Sequence, residues 1–263
     1  MRLFDSHCHL DDRSYDKDRD EVMARMNEAG IISAMIVGIN KKSSHKAVRL
    51  AEASSGHYAS VGVHPHDASD CSEDTLEFLR KLSQSPKVHA WGEIGLDFNR
   101  MYSPQKDQEK WFVRQMEMAD ELKLPMIFHE RDSKGRFLEM LKAHFKNGIK
   151  GVVHCFSGNK AEMEQYLELG LCIGITGILT IQKRGAALRK LVPFIPEDRL
   201  LIETDAPYLT PAPQKNRVRR NEPAFVKSVL LKLAEVRDED AENLAAILWK
   251  NTCRVFNIRE HLS

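Results

Sequence analysis

The feature that most constrains the fold of this chain is a regular alternation of short apolar runs with amphipathic stretches. Strands that alternate with helices indicate βαβ units and a parallel sheet. Eight such units within 263 residues are typical of a (β/α)8 TIM barrel, and a doubly wound open sheet is the alternative. The strand candidates are residues 3–9, 33–39, 58–64, 88–96, 125–129, 151–156, 171–177 and 200–205.

Helical spacing of apolar residues is clearest in four stretches. The first begins at Ser103 and Pro104, which we interpret as an N-cap and a first-turn proline, and it ends before Pro125. The other three cover residues 132–148, 223–236 and 240–256. Because the last two follow the eighth strand, we expect a single domain over residues 1–263, an α/β barrel with extra C-terminal helices.

The composition excludes several classes of protein. The 39 Lys and Arg against 38 Asp and Glu give a net charge of +1, so a polyanionic substrate would need local attraction. The N-terminal residues hold no long apolar segment, and no run of about 20 apolar residues occurs, which predicts neither a signal peptide nor a membrane span. The five cysteines are scattered and form no CxxC pair, which is typical of a cytoplasmic protein.

Metal-type side chains stand at the ends of five of the predicted strands. In a parallel barrel the carboxyl ends of all strands open onto one face, so these residues would converge although they are far apart in sequence. Chance placement of so many ligand types at these positions is improbable. The candidate ligands are His7, His9, Glu93, His129, His154 and Asp205.

Side-chain alternation along the first strand separates its ligands from its cysteine. His7 and His9 should face the same side, and Cys8 should face the helices. Two imidazoles on one face suit a metal of intermediate softness. Cys155 bears the same relation to His154, so we interpret both cysteines as core thiols and not as ligands.

Four histidines with two carboxylates exceed what one tetrahedral ion needs. They fit two divalent ions, roughly 3.5–4 Å apart, that share a bridging carboxylate and generate a hydroxide that attacks a phosphate ester. Glu93 is the expected bridge, since its strand lies mid-chain between the two groups of ligands. Asp205 could bind a metal and also take the proton from the attacking water.

Several further residues are candidates for binding substrate or supporting the ligands. Arg131 could clamp a phosphate, although an ion pair with a neighbouring carboxylate is the alternative. His64 could contact the phosphate or a leaving group, His66 is expected to face solvent, and Glu203 is expected to orient a ligand. A basic cluster after the last strand either grips a nucleic-acid backbone or is solvated surface; it comprises Lys215, Arg217, Arg219 and Arg220. The remaining histidines are interpreted as surface or packing residues; they are His45, His57, His89, His144 and His261.

Taken together, these motifs resemble the TatD family of metal-dependent deoxyribonucleases, within the amidohydrolase-like barrel superfamily. The similar segments are residues 5–10 (DSHCHL), 62–66 (GVHPH), 92–97 (GEIGLD), 129–131 (HER), 154–158 (HCFSG), 203–208 (ETDAPY) and 220–223 (RNEP). The resemblance implies a TIM-type barrel and hydrolysis of DNA, often from 3′ ends. It also implies that His7, His9, Glu93 and Asp205 hold one ion. Glu93, His129 and His154 would hold the other.

The leading hypothesis is therefore a cytoplasmic, monomeric 3′-5′ exodeoxyribonuclease with two ions of Mg²⁺, Mn²⁺ or Zn²⁺ and no membrane partner. Asp205 would act as the base, and Arg131 and His64 would steady the phosphate. A metal-dependent hydrolase of an ester or amide bond, such as an aminoacyl-nucleic-acid deacylase, is the alternative, since a metal pair can also polarise a carbonyl. A non-catalytic metal-bound partner protein is a third possibility, disfavoured because each expected ligand is present.

Overall fold

The computed structural model of the chain describes residues 1–145 and 148–259. An eight-stranded sheet forms its centre, in which each strand pairs in parallel with the next one along the chain. The predicted (β/α)8 architecture is confirmed. The strands are β1 (Leu3–Cys8), β2 (Ile31–Val37), β3 (His57–Val61), β4 (Val88–Asp97), β5 (Met126–Arg131), β6 (Gly151–Val153), β7 (Cys172–Ile175) and β8 (Leu200–Ile202).

The barrel closes where the end of β1 meets the segment that follows β8. The amide of Asp205 donates to the carbonyl of His7 at 2.9 Å, next to an isolated parallel bridge. The buried carboxylate of Asp5 accepts hydrogen bonds from the amide of Thr204 at 2.9 Å and from its hydroxyl at 2.5 Å. Closure therefore brings the first and last predicted ligand segments into direct contact.

Helices follow most of the strands and cover the outside of the barrel. Side-chain caps begin several of them: Asn40, Ser72 and Asn159 each accept a hydrogen bond from a backbone amide of the first turn. Across residues 1–145 and 148–259, no helix is both long and apolar enough to span a bilayer. The helices are α1 (Arg19–Glu28), α2 (Lys41–Glu52), α3 (Glu73–Leu82), α4 (Gln105–Leu122), α5 (Arg136–His144), α6 (Lys160–Glu168), α7 (Ala186–Leu191), α8 (Val226–Arg237) and α9 (Ala241–Val255).

The start of α4 differs from the prediction. Pro104 occupies the N-cap position, one residue before the first helical turn, and Ser103 does not cap the helix. The Ser103 hydroxyl instead donates to the carbonyl of His66 at 2.8 Å and accepts from the amide of Ser69 at 2.9 Å. Ser103 thus connects the start of α4 to the loop after β3, because its hydroxyl bonds to backbone groups of that loop and not to the amides of the first helical turn.

Helix α5 is shorter than the stretch 132–148 that the periodicity predicts. Its beginning is delayed because Asp132, Lys134 and Gly135 have positive φ angles, which are incompatible with a right-handed helix. The helix ends at His144, and part of the predicted stretch lies outside the described residues. The short segment between β5 and α5 is therefore a loop at the carboxyl face of the barrel.

Two apolar layers hold the barrel together. The interior contains Phe4, Ile127 and Leu201, and residues at the end of α9, including Phe256, pack against them from the amino-terminal side. A larger cluster fills the space between strands and helices. Because the interior is plugged at its amino-terminal end, the cavity inside the barrel opens at the carboxyl face.

Candidate metal centre

A register shift in β1 turns two histidines into the barrel. The pairing of β1 with β2 shifts between Asp5 and Cys8, so strict side-chain alternation is broken there. Phe4 and His7 consequently both reach the interior although they are three residues apart. Nε2 of His7 and Nε2 of His9 lie 3.2 Å from each other.

The two cysteines beside the ligands pack away from the site, as the sequence predicts. Cys8 is fully buried in the layer between strands and helices, and its thiol donates to the carbonyl of Met35 at 3.5 Å. Cys155 is partly buried against the same layer, and burial raises the pKa of its thiol to about 12. Neither thiol is in the ionised form that binds metal at neutral pH.

Glycines around Glu93 allow β4 to approach β5 closely. Gly92 and Gly95 have φ angles of 156° and 146°, a region that side chains other than glycine rarely adopt. A Cβ on Gly95 would lie 1.9 Å from the carbonyl oxygen of His129. The close approach places the Glu93 carboxylate, which is 3% exposed, beside the imidazole of His129.

The two oxygens of Glu93 face two different groups of histidines. Its Oε1 lies 2.7 Å from Nδ1 of His129 and 2.8 Å from Nε2 of His154. Its Oε2 lies 3.4 Å from Nε2 of His7 and 3.9 Å from Nε2 of His9. A carboxylate in this position has the geometry of a bridge between two adjacent ion sites.

Asp205 adds a second carboxylate beside the β1 histidines. Its backbone adopts a left-handed conformation, with φ of 56°. Its Oδ1 lies 3.3 Å from Nε2 of His9 and 3.7 Å from Nε2 of His7. Burial alone would raise the pKa of Asp205, but the hydrogen bond to His9 and the charges of nearby imidazoles lower it, so the group is ionised at neutral pH.

His64 lies closer to the ligands than the sequence suggests. Its Nε2 is 3.3 Å from Oε1 of Glu93, and its ring centre is 4.4 Å from that of His129. Burial lowers the pKa of His64 to about 4, which keeps the ring neutral and able to donate a lone pair. The sequence pattern favours a contact between His64 and substrate, whereas the distances fit a ligand as well.

The donor set of the cavity fits divalent cations. Ring nitrogens face each other at 3.2–3.3 Å with carboxylate oxygens alongside, an arrangement that a shared cation satisfies better than protons do. Mixed imidazole and carboxylate ligands suit Zn²⁺, Mn²⁺ or Mg²⁺. Three groups within the described residues have ligand atoms mutually closer than 4.8 Å: His7 with His154 and Asp205, His7 with His9 and Glu93, and His64 with Glu93 and His129.

Electrostatics hold the bridging carboxylate in its ionised form. Burial alone would raise the pKa of Glu93, but the charges of His154 and His64 and hydrogen bonds from the facing rings hold it well below its usual range. Burial would likewise lower the pKa of His9, yet the hydrogen bond to Asp205 raises it to about 9. In the metal-free site the carboxylates therefore keep a proton on this ring, and a cation that binds there would take the place of that proton.

Asp97 is a supporting residue that the sequence pattern does not single out. Its buried carboxylate lies 2.7 Å from Nε2 of His66 and 3.3 Å from Nε2 of His129. His66, expected to face solvent, is therefore held at the rim of the cavity. The sequence offers one indication of Asp97, which is its position at the end of the strand that carries Glu93.

Glu203 supports the opposite side of the centre, in line with the expected orienting role. Its carboxylate accepts from the amide of Cys155 at 2.5 Å and from the hydroxyl of Ser6 at 3.3 Å, and it lies 3.6 Å from Nδ1 of His154. A Cβ on Gly174 would come within 2.6 Å of it, so the glycine leaves room for the carboxylate.

The predicted phosphate clamp does not line the cavity. The cavity holds about 450 Å³ and is bounded by all the candidate ligands except the fully buried His7, together with Arg100, Tyr102 and Tyr208 among others. Arg131 is not among its lining residues, and the side chain of Arg100 lies there instead. The loop after β4, which contains Arg100, therefore supplies the cation that the sequence led us to expect from the loop after β5.

The basic cluster after β8 separates into two parts. Arg220 donates to both carboxylate oxygens of Asp18 at 2.5 and 2.8 Å, and its guanidinium lies over the ring of Tyr15. Arg220 is thus held by protein groups, which argues against its expected role in substrate binding. Lys215, Arg217 and Arg219 have no side-chain partner within the described residues and remain available to a ligand.

The histidines that the sequence assigns to surface or packing lie outside the metal centre, as far as they are described. His57 is buried in β3, and Nδ1 of His89 lies 2.9 Å from the carbonyl oxygen of Phe256. His45 and His144 are on helices α2 and α5. His261 lies outside the described residues.

Known proteins resemble this chain in sequence and in structure over nearly its whole length. The family model for TatD-related DNases matches residues 4–257. A protein of Klebsiella pneumoniae (strain 342), named 3′-5′ ssDNA/RNA exonuclease TatD, is 42% identical over 258 residues, which cover 97% of this chain and 98% of that one. A corresponding protein of Citrobacter rodentium (strain ICC168), with the same name, is 43% identical over 258 residues, covering 97% and 98% of the two chains. Among solved structures, the TatD homologue YjjV of Escherichia coli K12 superimposes with a TM-score of 0.89 at 31% identity, covering 98% of this chain and 99% of that one.

Proposed function

Because the chain belongs to the family of TatD-related DNases, we propose that it is a metal-dependent exonuclease that removes nucleotides from the 3′ ends of single-stranded DNA. The enzyme is a hydrolase of phosphodiester bonds. The relatives' name includes RNA, so single-stranded RNA is a second substrate to be tested. We also propose that residues 1–263 act as one domain and as a monomer, since each proposed ligand comes from the same chain. We propose a cytoplasmic location because the five cysteines are scattered and form no CxxC pair.

The observation that carries this proposal is the position of the Glu93 carboxylate. One of its oxygens lies 2.7 Å from His129 and the other lies 3.4 Å from His7. Hydrolysis of a phosphodiester requires charge neutralisation on both the attacking and the leaving oxygen, and a pair of adjacent cations is suited to that task. The division of Glu93 between two histidine groups supports two ions per chain.

We assign the ligands as follows. Glu93 would bridge both ions. His7, His9 and Asp205 would hold one of them, and His129 with His154 would hold the other, with His64 close enough to join it. When bound, divalent cations lower the pKa of water and neutralise charge on the phosphate oxygens. Mg²⁺, Mn²⁺ and Zn²⁺ are all compatible with this ligand set.

The residues of the chain have distinct tasks in the proposed reaction. The water oxygen forms a bond to phosphorus while the bond from phosphorus to the upstream 3′ oxygen breaks, which releases a nucleoside 5′-monophosphate. Asp205 is ionised, and its Oδ1 is directed to His9, so its Oδ2 can accept the proton of the attacking water. The upstream 3′ oxygen takes a proton from solvent as it leaves. Arg100, which lines the cavity and lacks a side-chain partner within the described residues, would hold the phosphate.

Digestion of end-labelled oligonucleotides tests this proposal. Protein stripped of metal and then supplied with Mg²⁺, Mn²⁺ or Zn²⁺ should shorten 5′-labelled single-stranded DNA stepwise and release the label of a 3′-labelled strand first. Chelator and the substitution Glu93→Gln should each abolish the shortening. Glu164→Gln, on the exposed face of α6, is the matched control and should digest normally.

The outcomes separate the competing functions. Digestion from the 5′ end would refute the proposed polarity. Failure to cut DNA or RNA with each of the three metals would refute the nuclease, and hydrolysis of aminoacylated RNA under those conditions would favour the esterase alternative. Tight metal binding without hydrolysis of any of these substrates would favour a non-catalytic protein.

A further inference from the structure

We propose that a cationic groove beside the metal cavity binds the phosphodiester backbone of the DNA strand upstream of the end being cut. The groove holds about 440 Å³, and its cationic side chains are Arg184, Lys215 and Arg219. This inference rests on the proposed exonuclease function and adds a binding site to it. The occupant is a few nucleotides of single-stranded nucleic acid.

Tyr208 connects the groove to the metal cavity. Its side chain lines both spaces, so the groove and the cavity are neighbours that meet at this residue. Its ring centre lies 6.0 Å from that of His9. The amide of Tyr208 donates to the carbonyl of Asp205 at 2.8 Å, and its carbonyl accepts from Asn221 at 2.6 Å, so its backbone is fixed relative to the ligands.

Two separate loops supply the positive charge. Arg184 lies just before α7, whereas Lys215 and Arg219 lie in the segment after β8. None of the three side chains has an ion-pair or hydrogen-bond partner within the described residues, in contrast to Arg220, which is paired with Asp18. In the part of the chain that the structure describes, no Asp or Glu lines the groove. Three unpaired cations in a lining without a carboxylate form a local attraction for phosphates in a chain whose net charge is only +1.

The remaining surface of the groove suits unpaired bases. Tyr208 is 53% exposed and Val218 is 41% exposed, so both present apolar surface to a ligand in the groove. Aromatic side chains next to cations are the elements with which proteins bind single strands without reading sequence, because every base has a face that stacks. If a base of the bound strand stacks on Tyr208, the phosphates of that strand would lie along the three cations. The groove therefore favours single strands over duplexes.

The expected consequence is a dependence of activity on strand length. The metal cavity would hold the terminal nucleotide, and the groove would add binding only for substrates that extend past Tyr208. A dinucleotide would be too short to extend past Tyr208, whereas a strand of about ten nucleotides would occupy both the cavity and the groove, with the rest of the strand outside.

A groove variant tests the proposal directly. In Arg184→Gln/Lys215→Gln/Arg219→Gln, the ratio of kcat/KM for a ten-residue thymidine strand to that for the dinucleotide TpT should fall about ten-fold. Binding of the fluorescent ten-residue strand in the presence of chelator should weaken, and the slope of log affinity against log salt should decrease by about 2 if three phosphate contacts are lost. Tyr208→Ala should weaken the same binding, and Tyr208→Phe should retain it.

The matched control removes the same charge elsewhere. Within the described residues, Arg49, Lys123 and Lys250 also lack side-chain hydrogen bonds and ion pairs, and they lie away from the groove, so their triple Gln variant should match the wild type. A groove variant with an unchanged length ratio and an unchanged salt slope would overturn the proposal. Failure of the nuclease itself would appear separately, as wild-type protein that binds the strand in chelator but does not cut it when metal is supplied.

Discussion

The carboxylate of Asp97 faces the outer edge of His129, with Oδ2 of the acid 3.3 Å from Nε2 of the ring. Nδ1 of the same ring faces Glu93 at 2.7 Å. A proton held on Nε2 by Asp97 leaves the lone pair on Nδ1 directed into the cavity, which is the form that binds a cation. Asp97, which is not itself a proposed ligand, thus sets the tautomer of His129.

Substitution of Asp97 should weaken metal binding without removing a ligand. In Asp97→Asn, the amide can donate to Nε2 and favour the wrong tautomer, so we expect a loss of about 10–100-fold in metal affinity, measured by titration calorimetry. Excess metal should restore most of the nuclease activity. Asp120→Asn, on the exposed surface of α4, provides the control. An Asp97→Asn variant with wild-type affinity would show that the contact does not orient His129.

Gly95 should be one of the least replaceable residues of the barrel. An added methyl group would lie 1.9 Å from the carbonyl oxygen of His129 and would force β4 and β5 apart. We expect Gly95→Ala to lower the free energy of unfolding by about 3 kcal/mol or more in urea titrations. Gly135 also has positive φ, but no atom of the described residues lies within 4 Å of the place that its added methyl group would take, so Gly135→Ala should cost about 1 kcal/mol. Equal losses in the two variants would mean that the close approach of the strands is not the cause.

Arg220 should contribute to stability and not to DNA binding. Its guanidinium is paired with Asp18 and lies 4.7 Å from the ring centre of Tyr15, so Arg220→Gln should lower the free energy of unfolding by about 1 kcal/mol. The salt dependence of DNA binding should remain that of the wild type. Arg217→Gln, which removes an unpaired cation from the same loop, should leave stability unchanged. A reduced salt slope in Arg220→Gln would restore its expected role as a substrate contact.

His57 should make the fold sensitive to acid. Burial, with a smaller contribution from the charge of Lys87, lowers the pKa of His57 from 6.5 to about 4. Between these two values the unfolded chain binds a proton that the folded chain does not, so stability is full above pH 6.5 and falls as the pH drops, by about 3 kcal/mol in total. His57→Gln should remove this part of the loss in chelator-treated protein. His45→Gln, on exposed α2, should follow the wild type, and an identical acid profile for His57→Gln would contradict the assignment.

The fold and the positions of the candidate ligands could be predicted because both depend on local pattern. Strand ends are marked by the sequence, and a parallel barrel brings those ends to one face, so His7 and Asp205 could be placed together although nearly the whole chain separates them. Predicting that these two residues lie close together requires only the order of the strands in the barrel. The same reasoning located Glu93 on the strand between the two histidine groups.

The remaining features depend on contacts that no local pattern specifies. Arg220 pairs with Asp18 across 202 residues, so a cluster that reads as a basic surface is partly an internal ion pair. Asp97 contacts His129 across 32 residues, and Ser103 bonds to the loop after β3 instead of capping α4. The register shift in β1 that turns His7 inward likewise follows from pairing with β2 and not from alternation within the strand.

The most direct test of the account is the number of ions that Glu93 holds together. Native mass spectrometry of metal-stripped protein reloaded with Mn²⁺ should detect two ions per wild-type chain, because the two oxygens of Glu93 serve separate groups of histidines. Glu93→Gln, which keeps the volume but removes the charge, should retain at most one weakly held ion. A wild-type chain that saturates with a single ion, or a Glu93→Gln variant that still binds two, would contradict the bridging carboxylate on which the proposed chemistry depends.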